Sequence, residues 1–333
     1  MKSHQPTSGQ TTGGQPMELR ALDRDVYACL QPDRGFGWSN SGLVARGGGL
    51  VVDTFWDLPR TRAMLGLYAG VHPQLPKRVV NTHHNGDHCW GNQLVEGAEI
   101  IGHRRCAEAM NADLPPKVMK RLGDAANPLP GLERFAKALS AYDFDGITIT
   151  PPTTLFDESF SFDLDGLSVD VLYVGPAHTV GDAIVHLPER GILFGGDVLW
   201  NGCTPIGWEG TYAQWYAALD RIIGLAPDIV VPGHGPITDT EGVRLLRRYF
   251  EFVESEAKRF FELGIGEYEA AQKIDLGPFA GWTEPERILF NLRRAYRELR
   301  GEPFDAPTDV LEMLRELETL AEFYEARARN ART

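Results

Sequence analysis

The sequence lacks the features that mark several protein classes. Its four cysteines lie among 333 residues without C-x-x-C spacing, which argues against a disulfide scaffold or a cysteine zinc finger. No run of about 18 apolar residues occurs, so no membrane-spanning helix is predicted and no membrane partner is expected. Lysine and arginine total 33 against 46 acidic residues, a net charge of -13 without an evident basic patch. Nucleic acid is therefore not an expected partner.

The first 16 residues are polar and rich in Gly, Ser, Thr and Gln, without the apolar segment of a secretory signal. We predict that residues 1–16 form a disordered tail and that the protein is cytoplasmic. The whole chain is 43% hydrophobic and 24% charged, a composition typical of globular proteins with a real core.

The chain divides by pattern into a mixed domain and a helical extension. Residues 17–238 alternate short strand patterns with helical ones, including a hairpin pattern around Gly47, Gly48 and Gly49. Residues 111–146 are short helical stretches punctuated by prolines, which we interpret as an insertion or lid over a site. Residues 239–333 show helical spacing alone, and this extension could also pair two subunits in a homodimer.

Histidine and aspartate are concentrated directly after an apolar strand pattern. The segment N-T-H-H-N-G-D-H-C-W-G-N begins at residue 81 and holds three histidines and an aspartate within residues 83–88. Imidazole and carboxylate are ligands of zinc, iron and manganese, and Gly86 permits the tight turn that would bring them together. The segment therefore predicts a metal site at a strand end.

Three later segments repeat this placement. His178, Asp197 and His234 each follow a predicted strand and have glycine nearby, where backbone and metal can approach. The ends of strands in layered α/β folds are the usual position of functional sites.

In order, spacing and strand context, the four segments resemble the metallo-β-lactamase superfamily over about residues 17–238. That family's pattern is T-H-x-H-x-D-H, then G-H-T-x-G-D, a bridging aspartate and G-H-G. The resemblance implies an α/β fold, a four-layer αββα sandwich with metals along one edge, here followed by the helical extension. Members of the family include thioesterases, lactonases, alkylsulfatases, phosphodiesterases and a few iron oxygenases.

The resemblance implies two metal sites that share Asp197. One would take His83, the residue at position 85, His178 and Asp197. The other would take Asp87, His88, His234 and Asp197. Asp87 and Asp197 would also act in catalysis, and Asp182 would fix a ligand histidine without binding metal itself.

Position 85 departs from the family pattern, because it is Asn instead of His. Alternation in an extended segment points residues 83 and 85 the same way and places His84 on the opposite face. An amide oxygen is a poorer zinc ligand than an imidazole, so we predict two Zn²⁺ per chain with the first site weakened by Asn85.

Three functions follow as hypotheses. We favour a metal-dependent hydrolase that attacks an ester, thioester or lactone carbonyl with a metal-bound hydroxide. The first alternative is a non-heme Fe²⁺ dioxygenase that uses His83, His178 and Asp197 as its facial triad. The second alternative is a non-catalytic metal-binding or scaffold protein. The retained residues Asp87, His88 and His234 favour the hydrolase.

Aromatic residues near the motifs indicate the substrate class. Tryptophans and a phenylalanine accompany the predicted ligands and could form a pocket for a small molecule with an apolar or aromatic acyl group. These candidate pocket residues are Phe36, Trp38, Trp90, Trp200 and Trp208.

Overall fold

A computed structural model describes residues 17–32, 35–112, 114–303, 306 and 308–330. The predicted tail at residues 1–16 lies outside the described residues. None of the described helices is both long enough and apolar enough to cross a lipid bilayer.

The first sheet has seven strands, which lie side by side in chain order. The strands are β1 (Glu18–Asp23), β2 (Val26–Leu30), β3 (Ser41–Val44), β4 (Leu50–Val52), β5 (Arg78–Asn81), β6 (Glu99–His103) and β7 (Thr154–Phe156). The pairs from β1 to β4 are antiparallel, and those from β4 to β7 are parallel. The parallel strands β4 and β5 therefore end at the same edge of the sheet.

The second sheet has five strands in the order β12-β11-β10-β9-β8. Its strands are β8 (Ser159–Asp163), β9 (Ser168–Tyr173), β10 (Ala183–Leu187), β11 (Ile192–Phe194) and β12 (Ile229–Val231). All pairs are antiparallel except β11 with β12. Every residue of the central strand β10 is buried, as expected of a strand covered on both faces.

The helices are distributed over the outer faces and the C-terminal part of the chain. They are α1 (Leu58–Ala69), α2 (Gly86–Cys89), α3 (Arg104–Ala112), α4 (Pro116–Leu122), α5 (Glu133–Leu139), α6 (Tyr212–Leu225), α7 (Thr240–Glu262), α8 (Glu267–Lys273), α9 (Ile288–Leu299) and α10 (Val310–Asn330).

Three clusters of buried side chains separate four layers. Val80 of β5 packs between the sheets with Val171 of β9, whereas its neighbour Val79 faces Met64 of α1. On the far side of the second sheet, the strands pack against α6, α7 and α9. Because side chains alternate along each strand, each sheet has side chains to pack on both of its faces. The predicted αββα sandwich is therefore confirmed.

The hairpin between β3 and β4 forms where the glycines predict it. Gly47, Gly48 and Gly49 all have positive φ, with values of 56°, 90° and 84°. Residues with a Cβ rarely adopt such angles, so three glycines in succession permit this turn.

Asn291 of α9 connects the C-terminal helices to the loop after Asp197. Its amide donates hydrogen bonds to the carbonyl of Pro205 and the hydroxyl of Tyr249, both at 2.9 Å. Its carbonyl oxygen accepts the N–H of Gly207 at 2.8 Å. Since the side chain is fully buried, water cannot replace these bonds.

Replacing Asn291 with Ala should lower the free energy of unfolding by about 2–4 kcal/mol, because it leaves buried backbone groups unpaired. Urea denaturation followed by circular dichroism measures this change. The exposed Asn111 is the control, and Asn111→Ala should change the same quantity by less than about 0.5 kcal/mol. An Asn291→Ala variant as stable as the parent protein would show that this contact does not hold the helices in place.

Candidate metal centre

The candidate ligands lie just beyond the ends of four strands. His83 follows β5, His178 follows β9, and His234 follows β12. Asp197 lies in a short 3₁₀ helix after β11. Asp87 and His88 are in α2, the single turn of helix that the segment after β5 forms. The two sheets thus bring residues that are distant in sequence to one edge of the sandwich.

Asp197 lies at the centre of this group and is 4% exposed. Its Oδ1 is 3.1 Å from Nε2 of His88. Its Oδ2 is 3.3 Å from Nε2 of His234, 3.4 Å from that of His178 and 3.9 Å from that of His83. A single carboxylate therefore approaches all four imidazoles, which is the geometry expected of a bridging ligand.

Asp87 extends the cluster on the side of His234. Its Oδ2 lies 3.3 Å from Nε2 of His234 and 3.6 Å from Nε2 of His88. The ligand atoms of Asp87, His88 and His234 lie within 4.8 Å of one another, and so do those of His83, His88 and Asp197. Two overlapping groups of three ligands are thus present.

The unpaired atoms of the cluster fit a metal. Nε2 of His83 is buried without a hydrogen-bond partner among the residues that the structure describes, and Nε2 of His88 and Oδ1 of Asp197, although 3.1 Å apart, form no hydrogen bond of normal geometry. Buried polar atoms normally have partners, and leaving several unpaired in one place is costly. Imidazole nitrogens and carboxylate oxygens are suited to zinc and to non-heme iron.

Burial and the two carboxylates set opposite pKa shifts in the cluster. Burial lowers the pKa of His83 and that of His178, so both rings favour the neutral form that binds metal. Burial also acts to lower the pKa of His234, but Asp197 and Asp87 outweigh it and raise the value to about 9. Without metal this ring carries a proton, and metal binding would release it.

Asn85 contacts one of the predicted ligands. Its Oδ1 lies 2.7 Å from Nε2 of His178, the same atom that faces Asp197. Nδ1 of His178 donates to the carbonyl of Ile206 at 2.7 Å, which fixes the orientation of the ring. Asn85 therefore points into the cluster, the direction predicted for it, although the chain at residues 82–84 is a bend and not an extended strand.

His84 does not lie where alternation predicts it. Residues 82–84 form a bend beyond the end of β5, so the two-residue period of a strand does not apply to them. The ring of His84 is 6% exposed and lines the same cavity as Asn85 and His178. The expectation that His84 faces away from the site is wrong for this reason.

Asp53 is a residue of the site that the sequence analysis missed. It follows β4 with a positive φ of 59°, and it accepts the N–H of Thr82 at 2.8 Å. Its Oδ2 lies 3.0 Å from Nδ1 of His88, so it orients that imidazole and directs Nε2 toward Asp197. A carboxylate directly after the buried strand β4 was the available signal.

Asp182 acts on the backbone that carries His178. Its carboxylate accepts the N–H groups of Ala177 and Thr179 at 3.1 and 2.9 Å, on either side of the histidine. It also accepts the hydroxyl of Thr179 at 2.6 Å. Burial raises the pKa of Asp182 to about 8, against the effect of these hydrogen bonds. Asp182 therefore contacts the backbone on both sides of His178.

A cavity of about 1320 Å³ opens onto the cluster. Of the candidate pocket residues, it is lined by Phe36, Trp90, Trp200 and Trp208. Trp200 stacks on His234 with ring centres 4.3 Å apart, and its Nε1 donates to the carbonyl of Asp197 at 2.7 Å. These four aromatic side chains therefore lie where a substrate near the cluster would contact them.

Trp38 lies elsewhere. It is not among the described residues that line the cavity, and its ring packs on Arg60 and Tyr142. Its carbonyl oxygen is 3.2 Å from Nδ1 of His234. Trp38 thus contacts a candidate ligand through its backbone while its ring supports the surrounding structure.

Comparison with known proteins gives consistent similarities. A family model described as the metallo-beta-lactamase superfamily matches residues 34–234. A linear primary-alkylsulfatase from Pseudomonas sp. (strain ATCC 19151) is 24% identical over 300 residues, covering 79% of this chain and 56% of that protein. A hydroxyacylglutathione hydrolase from Rhizobium meliloti (strain 1021) is 28% identical over 219 residues, covering 64% of this chain and 66% of that protein.

Among solved structures, the sec-alkylsulfatase Pisa1 from Pseudomonas sp. is similar in fold. It superposes with a TM-score of 0.63 at 19% identity, covering 89% of this chain and 52% of that chain. The chain thus spans between about half and two thirds of the length of these relatives.

The close approach of Gly233 to Asp197 gives a test of the cluster. A Cβ at Gly233 would lie 2.0 Å from Oδ1 of Asp197, so Gly233→Ala should displace the carboxylate. We expect its zinc affinity to fall by at least about tenfold, as for the loss of a ligand-orienting contact, measured by isothermal titration calorimetry. Gly66→Ala is the control, since a Cβ at Gly66 meets nothing within 4 Å. Equal zinc affinity in both variants would show that Asp197 is not a ligand of the metal.

Proposed function

The chain belongs to the metallo-β-lactamase superfamily, and we propose that its histidine and aspartate cluster is the active site of a metal-dependent hydrolase. The observation that carries this proposal is the approach of four imidazoles to the single carboxylate of Asp197. The similar proteins named above support it, because their names are those of hydrolases.

We assign the ligands to two zinc sites that share Asp197. The first site consists of His83, Asn85, His178 and Asp197. The second consists of Asp87, His88, His234 and Asp197. The distances from Asp87 and Asp197 to His234, both 3.3 Å, support the second set. We propose that Asn85 weakens the first site, because its amide contacts the imidazole of His178 in place of a further nitrogen ligand.

Zinc at such sites lowers the pKa of water toward about 7 and polarises a carbonyl group. The protein's own contribution is to place the carboxylates of Asp87 and Asp197 beside the metal ligands, where they would orient a nucleophile and its proton. Trp200 holds the backbone of Asp197 and the ring of His234 together. Asp53 keeps the imidazole of His88 in one orientation. These contacts fix the geometry before substrate binds, so little reorganisation is needed during the reaction.

We propose an ester, thioester or lactone of an apolar or aromatic acyl group as substrate. The support is the aromatic lining of the cavity next to the cluster, which includes Trp90, Trp200 and Trp208. His84 adds a buried imidazole at the same wall, and Nδ1 has no hydrogen-bond partner among the described residues.

The dioxygenase remains the second candidate, with His83, His178 and Asp197 as ligands of Fe²⁺. All three are in the cluster. However, His234 also lies close to both Asp87 and Asp197. An oxygenase would not require that further set, and for this reason we prefer the hydrolase. A non-catalytic scaffold would require neither set.

The zinc-loaded protein should hydrolyse p-nitrophenyl butyrate without oxygen, and chelation of the metal should abolish the activity. Asp197→Asn should lower kcat/KM by at least about 100-fold, because it removes a negative charge that holds the metals. Release of p-nitrophenolate under nitrogen, with an oxygen electrode in parallel, measures both outcomes. Oxygen consumption by the iron-loaded protein, with no hydrolysis by the zinc-loaded one, would favour the dioxygenase.

Asn85→His should strengthen the first site, because an imidazole replaces an amide among its ligands. Equilibrium dialysis at limiting zinc, followed by elemental analysis, should give more zinc per chain than in the parent protein. Asn85→Ala is the matched control and should show no gain. If all three proteins bind the same amount of zinc with the same affinity, position 85 is not part of a metal site.

A further inference from the structure

The cavity extends well beyond the metal centre. Pockets for small molecules usually have volumes of about 300–1,000 Å³, whereas this cavity measures about 1320 Å³. It runs from Asp197 and His234 to Met313 and Leu314 of α10. A compact acyl group at the cluster would therefore leave the outer part of the cavity unfilled.

The side of the outer part that belongs to the insertion carries four apolar side chains beside the charged Lys117 and Arg121. Val118, Met119 and Leu122 of α4 line it together with Leu129. Met119 and Leu122 are 8% and 7% exposed, while Val118 and Leu129 are only partly buried. These four side chains and those of Met313 and Leu314 are called the apolar arm.

Three arginines of α9 beside the apolar arm are paired with carboxylates. Nε of Arg294 is 3.2 Å from Oε1 of Glu298, and Nε of Arg297 is 3.3 Å from Oε2 of Glu302. Arg293 pairs with Glu316. Since these arginines already have carboxylate partners, the α9 side of the wall does not favour an anion.

The two sides of the apolar arm are fastened to each other. The carboxylate of Glu318 in α10 accepts the backbone N–H groups of Arg134 and Phe135 in α5. The side chain of Arg134 also pairs with Glu325 at 2.8 Å. Because α10 lies beyond residues 34–234, which the family model matches, this side of the arm is an addition to the family's common part.

We propose that the apolar arm binds a linear alkyl or acyl chain that is attached to the reacting group at the metal centre. This inference depends on the proposed function only for the group that reacts at the metal centre; binding of the chain itself does not depend on it. The chain would be held by burial of its methylene groups, each of which contributes about 0.8 kcal/mol, or about fourfold in affinity. A short ester would fill only the part next to Trp200 and Trp208.

Binding to the metal-free protein tests the arm separately from catalysis. The probes are 1-octanol and 1-butanol, which are uncharged, and tryptophan fluorescence reports binding because Trp90, Trp200 and Trp208 line the cavity. We expect 1-octanol to bind at least about tenfold more tightly than 1-butanol, since it buries four more methylene groups. Equal affinities would overturn the proposal.

Substitutions in the apolar arm test whether the alkyl chain binds there. Leu129→Gln and Val118→Gln should each weaken 1-octanol binding by at least about threefold, because each places a polar group against the chain. Leu263→Gln is the control, since Leu263 is 65% exposed and lies outside the cavity lining. Two variants are used so that one that fails to fold does not decide the result. Octanol affinity unchanged in a folded variant of either position would overturn the assignment to this arm.

Rates of ester hydrolysis distinguish the proposed hydrolase function from the proposed binding of a chain in the apolar arm. For the zinc-loaded protein, the ratio of kcat/KM for p-nitrophenyl octanoate over the butyrate should fall in both arm variants and stay constant in Leu263→Gln. Tight binding of 1-octanol with no hydrolysis of either ester would support the arm and contradict the hydrolase. Hydrolysis of both esters at equal rates, with weak binding of 1-octanol, would do the reverse.

Discussion

The approach of Asp197 to four imidazoles is the interaction on which the rest of this structure depends. A carboxylate that is 4% exposed is unfavourable unless positive charge or hydrogen bonds compensate it. In the metal-free protein, His88 and His234 supply that compensation and hold the pKa of Asp197 well below its usual value, although burial acts to raise it. A metal would take over the same function. The cluster is thus built around a negative charge that needs a cation.

The sandwich makes this cluster possible by ending its strands at one edge. His83 and His178 follow strands of different sheets, and Asp197 and His234 follow the parallel pair β11 and β12. Small residues then allow the loops to approach, as at Gly233 beside Asp197. Asn40 of the first sheet's side donates to the carbonyl groups of Pro232 and Gly235, which brackets the loop of His234. The strands, together with loops that are held by hydrogen bonds, fix the positions of the ligands.

Much of this arrangement follows from the sequence, because each ligand stands next to a strand pattern with glycine nearby. The hairpin at Gly47 was predictable from apolar alternation and turn residues, whereas the four-layer fold was predictable from the resemblance of the ligand segments to the family pattern. The orientation of His84 was not, since alternation fails where the chain bends after β5. Asp53 was missed because a single carboxylate after a strand has no distinctive spacing. The outer cavity could not be predicted from the sequence, because it depends on how α10 packs against α5.

Whether these imidazoles bind metal can be read from the X-ray absorption spectrum of the zinc-loaded protein. We expect zinc–nitrogen or zinc–oxygen distances of about 2.0–2.1 Å with the outer-sphere scattering of imidazole, at about two rings per ion on average. A spectrum with oxygen ligands alone and no imidazole scattering would contradict it.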